Sequence, residues 1–167
     1  EEEQPDEGTF KWGVSTSTSY FPVDNSAYFN DNDDSILDWI RQYSTADETE
    51  TFLRGFLGRM LFSGDDVYKP VRVLSGGEKV RLMLARMMLF GSNVLVIDQP
   101  TNHLDLESIT AVNNGVRDFK GTVLFASHDH EFVQTIATRI IEIREKGVLD
   151  KECTYDEFLE FRETYKG

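Results

Sequence analysis

The sequence predicts an α/β protein, a parallel core sheet with helices packed against it, and three observations carry that expectation. First, in Leu74-Ser75-Gly76-Gly77-Glu78-Lys79-Val80-Arg81, Ser75 and Glu78 have the spacing of a capping box, so a helix starts at Ser75. Val80, Met83, Leu84, Met87 and Met88 then form an apolar face at helical spacing. Second, Val94-Leu95-Val96-Ile97 is a short unbroken apolar run, the pattern of a strand buried on both faces of a parallel sheet, and Asp98 and Gln99 stand at its carboxyl end. Third, Thr122-Val123-Leu124-Phe125-Ala126 repeats the pattern and ends in Ser127-His128-Asp129. Open α/β sheets bind ligands at the carboxyl ends of their strands, where a carboxylate can hold Mg²⁺.

Taken in order, Glu1 to Glu7 read as an acidic surface turn. Thr9-Phe10-Lys11-Trp12 and Val14 to Phe21 read as two strands of a hairpin turning at Gly13. Asn25 to Asp34 is a polar loop, and Ser35 opens a short amphipathic helix with Ile36, Trp39, Ile40 and Tyr43 on one face. A second helix begins at Thr49, with Phe52, Leu53 and Phe56 inward, and Gly58, Gly64 and Pro70 interrupt the path to Leu74. The helix from Ser75 ends near Gly91-Ser92-Asn93. Asp105 can cap a helix carrying Leu106, Ile109, Val112 and Val116, which ends before Gly121. After His128, a helix with Phe132, Val133 and Ile136 leads to the strand Ile140-Ile141-Glu142-Ile143. Thr154 and Glu157 form a second capping box, opening a C-terminal helix whose apolar set is Tyr155, Phe158, Leu159 and Phe161. These aromatic stripes read as core packing.

At 167 residues the chain has about one domain's worth of length, and 40% hydrophobic with 12% aromatic residues is a globular composition. No apolar run approaches the roughly 18 residues of a membrane span, and no signal-peptide pattern is present. The one cysteine, Cys153, cannot form an internal disulfide, which fits a reducing cytoplasm. A net charge of −13 argues against direct nucleic-acid binding, which rests on Lys and Arg displacing counterions. Acids crowd the first third, whereas Lys69, Arg72, Lys79, Arg81 and Arg86 surround the two glycines in a local basic patch that suits a triphosphate.

Gly76 and Gly77 are costly straight after a cap, at about 1 kcal/mol each relative to alanine. They make sense where something must approach the backbone closely, and a glycine-lined helix N-terminus suits a phosphate. An ordinary capped helix is the alternative reading of these residues alone. In combination, Leu74 to Glu78, Val94 to Asp98, Leu104-Asp105 and His128 resemble, in order over some 55 residues, the signature, Walker B strand, D-loop and switch histidine of an ATP-binding-cassette (ABC) ATPase.

That resemblance implies a P-loop NTPase-like α/β fold with a parallel core sheet, a small antiparallel β part and an inserted helical subdomain. It divides the chain into an antiparallel and Q-loop region (1–24), the helical subdomain (25–73), the core (74–145) and a C-terminal helix region (146–167). It implies ATP and Mg²⁺ as cofactors. Asp98 would hold Mg²⁺ through a bound water, and His128 would touch the γ-phosphate. Ser75, Gly76, Gly77 and Glu78 would complete the ATP site of a second, opposing ABC domain, and Asp105 would be the D-loop carboxylate. The Walker A pattern G-x-x-x-x-G-K-[ST] is absent, which places the phosphate loop and its flanking strand and helix upstream of Glu1. Two positions depart from the family. Val23 stands where the Q-loop glutamine is expected, and Gln99 stands where a glutamate normally polarises the attacking water. Glutamine orients water but cannot take its proton, so hydrolysis is expected to be slow in a complete site and this chain alone inactive. Gln99 fits either an amide exchange of the kind that traps an ATP-bound state or a naturally weak site; the irregular Val23 favours the latter.

The runs Leu74-Ser75-Gly76-Gly77-Glu78-Lys79-Val80-Arg81 and Pro100-Thr101-Asn102-His103-Leu104-Asp105 are most similar to the ABC-F subfamily of soluble, cytoplasmic, tandem-domain ATPases that act on the ribosome. The second of two domains is the better match, with the ribosome reached through parts outside this chain. The alternatives are the ATPase of a membrane transporter and a non-catalytic ABC-like interaction module.

Overall fold

The computed structural model describes residues 5–22, 24–44, 48–102, 104–145 and 147–165. Val23, His103 and Glu1 to Gln4, invoked above, lie outside the described residues.

Three short strands, β1 (Thr18–Phe21), β2 (Val94–Asp98) and β3 (Thr122–Ala126), form a parallel sheet in the order β1-β2-β3. Parallel neighbours need long crossovers, and here β1 and β2 are linked through all of α1 (Ile36–Arg41), α2 (Glu50–Arg59) and α3 (Gly76–Leu89). Helix α4 (Leu106–Asp118) connects β2 to β3, and α5 (His130–Ile136) follows β3. The chain closes with an antiparallel pair, β4 (Ile140–Arg144) and β5 (Gly147–Lys151), and α6 (Tyr155–Thr164).

Register sorts the sheet into two faces. Phe21, Ile97 and Phe125 align across the strands, as do Leu95 and Val123, and this face joins the core with α3, α4 and Phe132 of α5. On the other face Tyr20, Val96 and Leu124 align, and Tyr20 and Leu124 are 57% and 55% exposed. The expectation that β2 is buried on both faces therefore holds only for Leu95 and Ile97; Val94 and Val96 are half-buried. Under the sheet, Trp39 and Ile36 of α1, Leu53 and Leu57 of α2 and Leu82 to Ala85 of α3 continue the same core.

Helix starts follow the caps read from the sequence. Ser35, Thr49, Ser75, Asp105, Asp129 and Thr154 each accept a backbone N–H of their own first turn, and Ser75 and Thr154 do so within full capping boxes. Three expectations are corrected. The N-terminal hairpin does not form: residues 9–17 contain no strand, Gly13 to Thr16 is a turn, and Thr18–Phe21 pairs in parallel with β2. Asn93 is the cause. Its Oδ1 accepts from Ser17 N–H at 2.9 Å and its Nδ2 donates to Ser15 O at 2.7 Å, while Val94 N–H donates to Ser17 O at 3.0 Å. These bonds commit the backbone just before β1 to β2. The antiparallel pair instead lies at β4-β5, and β5 was missed because Gly147-Val148-Leu149-Asp150-Lys151 has only two consecutive apolar residues. Phe52, assigned inward, is exposed, since it lies in the first turn of α2 ahead of the packed stretch, and Leu106 in the first turn of α4 is exposed for the same reason.

Candidate functional site

Ser75 ends a chain that arrives extended from Leu74, and its hydroxyl accepts the Glu78 N–H at 3.3 Å while Glu78 Oε2 accepts the Ser75 N–H at 2.8 Å. Glu78 is thus engaged in the cap, with Lys69 Nζ 3.9 Å from its other oxygen. The two glycines that follow are not equivalent. A Cβ on Gly77 would lie 3.1 Å from Ser108 Oγ and 3.7 Å from Leu104 Cδ2, so this glycine lets the start of α3 seat against the start of α4. A Cβ on Gly76 would meet nothing within 4 Å. Close packing explains Gly77; at Gly76 the backbone is bare and open to a ligand.

Asp105 is drawn into the same corner. It caps α4 by accepting the Ser108 N–H at 2.7 Å, and that backbone bond holds its carboxyl below the usual carboxylate range. Ser108, 1% exposed, was not singled out from the sequence: it sits three residues after a readable cap, but only the fold reveals that it lies under Gly77.

The strand ends bring a second group together. Asp98 pairs in register with Ala126, two residues before His128, and Gln99 N–H donates to Ala126 O at 2.9 Å. Gln99 and His128 line one cavity of about 350 Å³. Gln99 adopts a left-handed backbone (φ +49°), uncommon for a residue with a side chain, and its Oε1 is buried without a hydrogen-bond partner. The half-buried Asp98 carboxylate likewise has no hydrogen bond or ion pair among the described residues. No hydrogen bond or ion pair among the described residues joins this strand-end group to the Ser75–Asp105 corner.

The expected basic patch is not free for a triphosphate. Lys69 pairs with Asp66 at 2.6 Å and Arg72 with Asp33. Arg81 is buried, donating to Met60 O at 2.6 Å beneath the Phe62 ring, and Arg86 lies between the Tyr28 and Tyr43 rings at 4.8 and 4.4 Å. Among the described residues neither Arg86, beyond Met83 Sδ at 3.9 Å and those two rings, nor the half-buried Lys79, 5.9 Å from the Phe29 ring centroid, has an ion pair or a backbone hydrogen bond from its side chain. Sequence proximity suggested a ligand patch, but helical spacing turns these side chains toward the fold.

The residues present fit Mg²⁺ and ATP in part. Among the described residues no cluster of three potential ligands exists. Mg²⁺ does not require one, because it keeps several waters and takes one or two carboxylates plus phosphate oxygens. One unpaired strand-end carboxylate beside an orphaned amide oxygen suits that mode.

A model of the family described as ABC transporter matches residues 2–102. The chain is 64% identical over 165 residues to the uncharacterized ABC transporter ATP-binding protein YkpA of Bacillus subtilis (strain 168), covering 99% of this chain and 31% of that protein. It is 37% identical over 136 residues to ABC transporter F family member 2 of Arabidopsis thaliana, covering 81% and 20%. It is 34% identical over 170 residues to the energy-dependent translational throttle protein EttA of Escherichia coli (strain K12), covering 99% and 30%. The chain spans less than a third of the length of these curated relatives. Among solved structures, RNase-L Inhibitor superposes with a TM-score of 0.72 at 22% identity, over 97% of this chain and 32% of that one, a likeness of fold. With the family match covering more than half of the residues on an α/β scaffold of this kind, the chain belongs to the ABC transporter family as an ATPase domain with ABC-F homologues.

Proposed function

We propose that this chain is the second ATPase domain of an ABC-F type protein acting in translation, and that it contributes a signature half-site to an ATP held by an opposing ABC domain. The observation that carries the reading is Gly76: an uncovered glycine at N1 of a fully capped fourteen-residue helix, where unpaired N–H groups and the positive helix end face outward. The translational assignment rests on two relatives, the translational throttle protein EttA and an ABC transporter F family member. Among the described residues no helix is long and apolar enough to cross a membrane.

On this reading, ATP with Mg²⁺ would supply the phosphoryl group and the charge neutralisation. Asp98 would hold the metal, Gln99 would orient the attacking water with its buried Oε1, and His128, after the next strand, would contact the terminal phosphate; Gln99 and His128 line one cavity. Gln99 accepts a hydrogen bond from that water yet cannot remove its proton, so the site is slow, and without a Walker A loop within residues 1–167 this chain alone does not turn over. In a parent protein that carries a phosphate loop, Gln99→Glu should raise single-turnover hydrolysis about 10²–10⁴-fold, the usual worth of a general base. An unchanged rate removes Gln99 from this role. Ribosome co-sedimentation of the parent that depends on ATP tests the translational half of the proposal, and its absence contradicts it.

A further inference from the structure

Away from the strand ends, a groove of about 950 Å³ opens between the C-terminal ends of α2 and α4, with Met88 of α3 behind it. At Gly115 of α4 a Cβ would lie 2.5 Å from Cε of Met60, the residue that ends α2, so this glycine lets the methionine seat against α4. The floor is apolar. Phe56 and Met60 are sunk into the core, and Met88 and Phe119 are half-buried beside them. Phe52, 45% exposed and stacked on Phe56 with ring centroids 6.2 Å apart, extends this apolar stripe one turn further along α2. From Phe52 to Met60 the stripe runs about 12 Å, at 1.5 Å per residue.

The rim is cationic. Arg59, Arg117 and Lys120 line it against one acid, Asp118, in a chain whose net charge is −13. None of the three cations has an ion pair among the described residues: Arg59 lies 5.1 Å over the Phe56 ring, Arg117 donates to Asn114 Oδ1 at 2.8 Å, and Lys120 has no partner there. Arg59 and Arg117 occupy the last turns of α2 and α4, where each offsets the negative end of its own helix. That role accounts neither for Lys120, which lies beyond α4, nor for an open floor of phenylalanine and methionine.

We propose that this groove docks an acidic amphipathic helix of a protein partner, its apolar face on the Phe52–Phe56–Met60 stripe and its carboxylates against Arg59, Arg117 and Lys120. Helices laid into hydrophobic grooves present anchors at i, i+3/i+4 and i+7, which two to three turns along α2 accommodate, and methionine lets the floor repack around them. A single-stranded RNA also favours aromatic and cationic groups, but Phe56 is sunk in the floor and Phe119 half-buried, which leaves Phe52 as the one exposed ring of the stripe for a base to stack on.

The test is fluorescence anisotropy of a labelled, designed peptide of about fourteen residues, long enough to hold some helix, with leucine at i, i+3, i+4 and i+7 positions and glutamate between them. The expected result is saturable binding to the chain, lost with a scrambled peptide of the same composition. Binding should weaken about tenfold in Arg117→Glu/Lys120→Glu, two exposed positions whose reversal converts attraction to repulsion. Met88→Asp, checked for an unchanged circular dichroism spectrum, should weaken it through the floor. Equal binding of the scrambled peptide, indifference to the charge reversals, displacement by oligouridylate, or self-association of the chain through this face in place of peptide binding would each overturn the proposal.

Discussion

Gly76 and Gly77 are chemically identical neighbours doing different work, and only their surroundings separate them. Gly77 is held by Ser108 at the contact between two helix starts, while Gly76 is free. Replacing Gly76 with alanine should raise thermal stability by up to about 3 °C, from a helix-propensity gain of at most about 1 kcal/mol in a chain of this size. Gly77→Ala should fall short of that by about 2 °C or more, since Ser108 must move by a few tenths of an ångström. Calorimetric melting of both variants checks this, and equal gains would show that the Ser108 contact imposes nothing. The two glycines, Asp98, Gln99 and His128 stand out in the sequence, and the structure sets Gln99 and His128 on one cavity at the strand ends. The difference between the glycines was not legible there, because it depends on a residue some thirty positions downstream. The cationic patch was misread for the same reason: Arg81 and Arg86 are close to Gly77 in sequence, yet the turn of α3 aims them at Met60 and at two tyrosine rings.

At the level of elements, local signals were read well and pairings poorly. Every α-helix of the described residues starts at a side-chain cap, and caps are short-range chemistry written within four residues. The partner of a strand is a long-range fact. Residues 9–21 alternate like a hairpin, but Asn93, more than seventy positions away, claims the backbone of Ser15 and Ser17 and turns the segment into a parallel edge. The caps carry a pH dependence. The Asp105 and Glu157 carboxylates are both held below their ordinary values, chiefly by backbone N–H groups of Ser108 and Thr154. A depressed carboxylate contributes stability that is present above its unfolded value and lost as pH falls through its folded one. Amide exchange at the first turns of α4 and α6 should therefore accelerate as pH falls below about 4, after correction for intrinsic rates. Asp105→Asn, which caps without ionising, should flatten that dependence for α4 and leave α6 unchanged; an unchanged profile at α4 would contradict the assignment.

For the whole molecule, the parallel sheet is covered on one face by α3, α4 and α5, while on the other Tyr20, Val96 and Leu124 form an apolar row that stays accessible. The family and its fold follow from this arrangement together with the comparisons. The account's central claim concerns where α3 points: that its bare N-terminus serves a nucleotide bound on another ABC domain. Gly76→Asp tests it most directly. The added side chain meets nothing within 4 Å, and aspartate is tolerated in a helix's first turn, so the fold should be spared. A carboxylate there would oppose the γ-phosphate by charge and bulk. Analytical ultracentrifugation with an intact ABC domain, with and without ATP, reads the consequence. The account predicts that the variant melts within about 2 °C of the parent chain while ATP-dependent pairing is lost. Normal ATP-dependent pairing by a folded Gly76→Asp variant would contradict it.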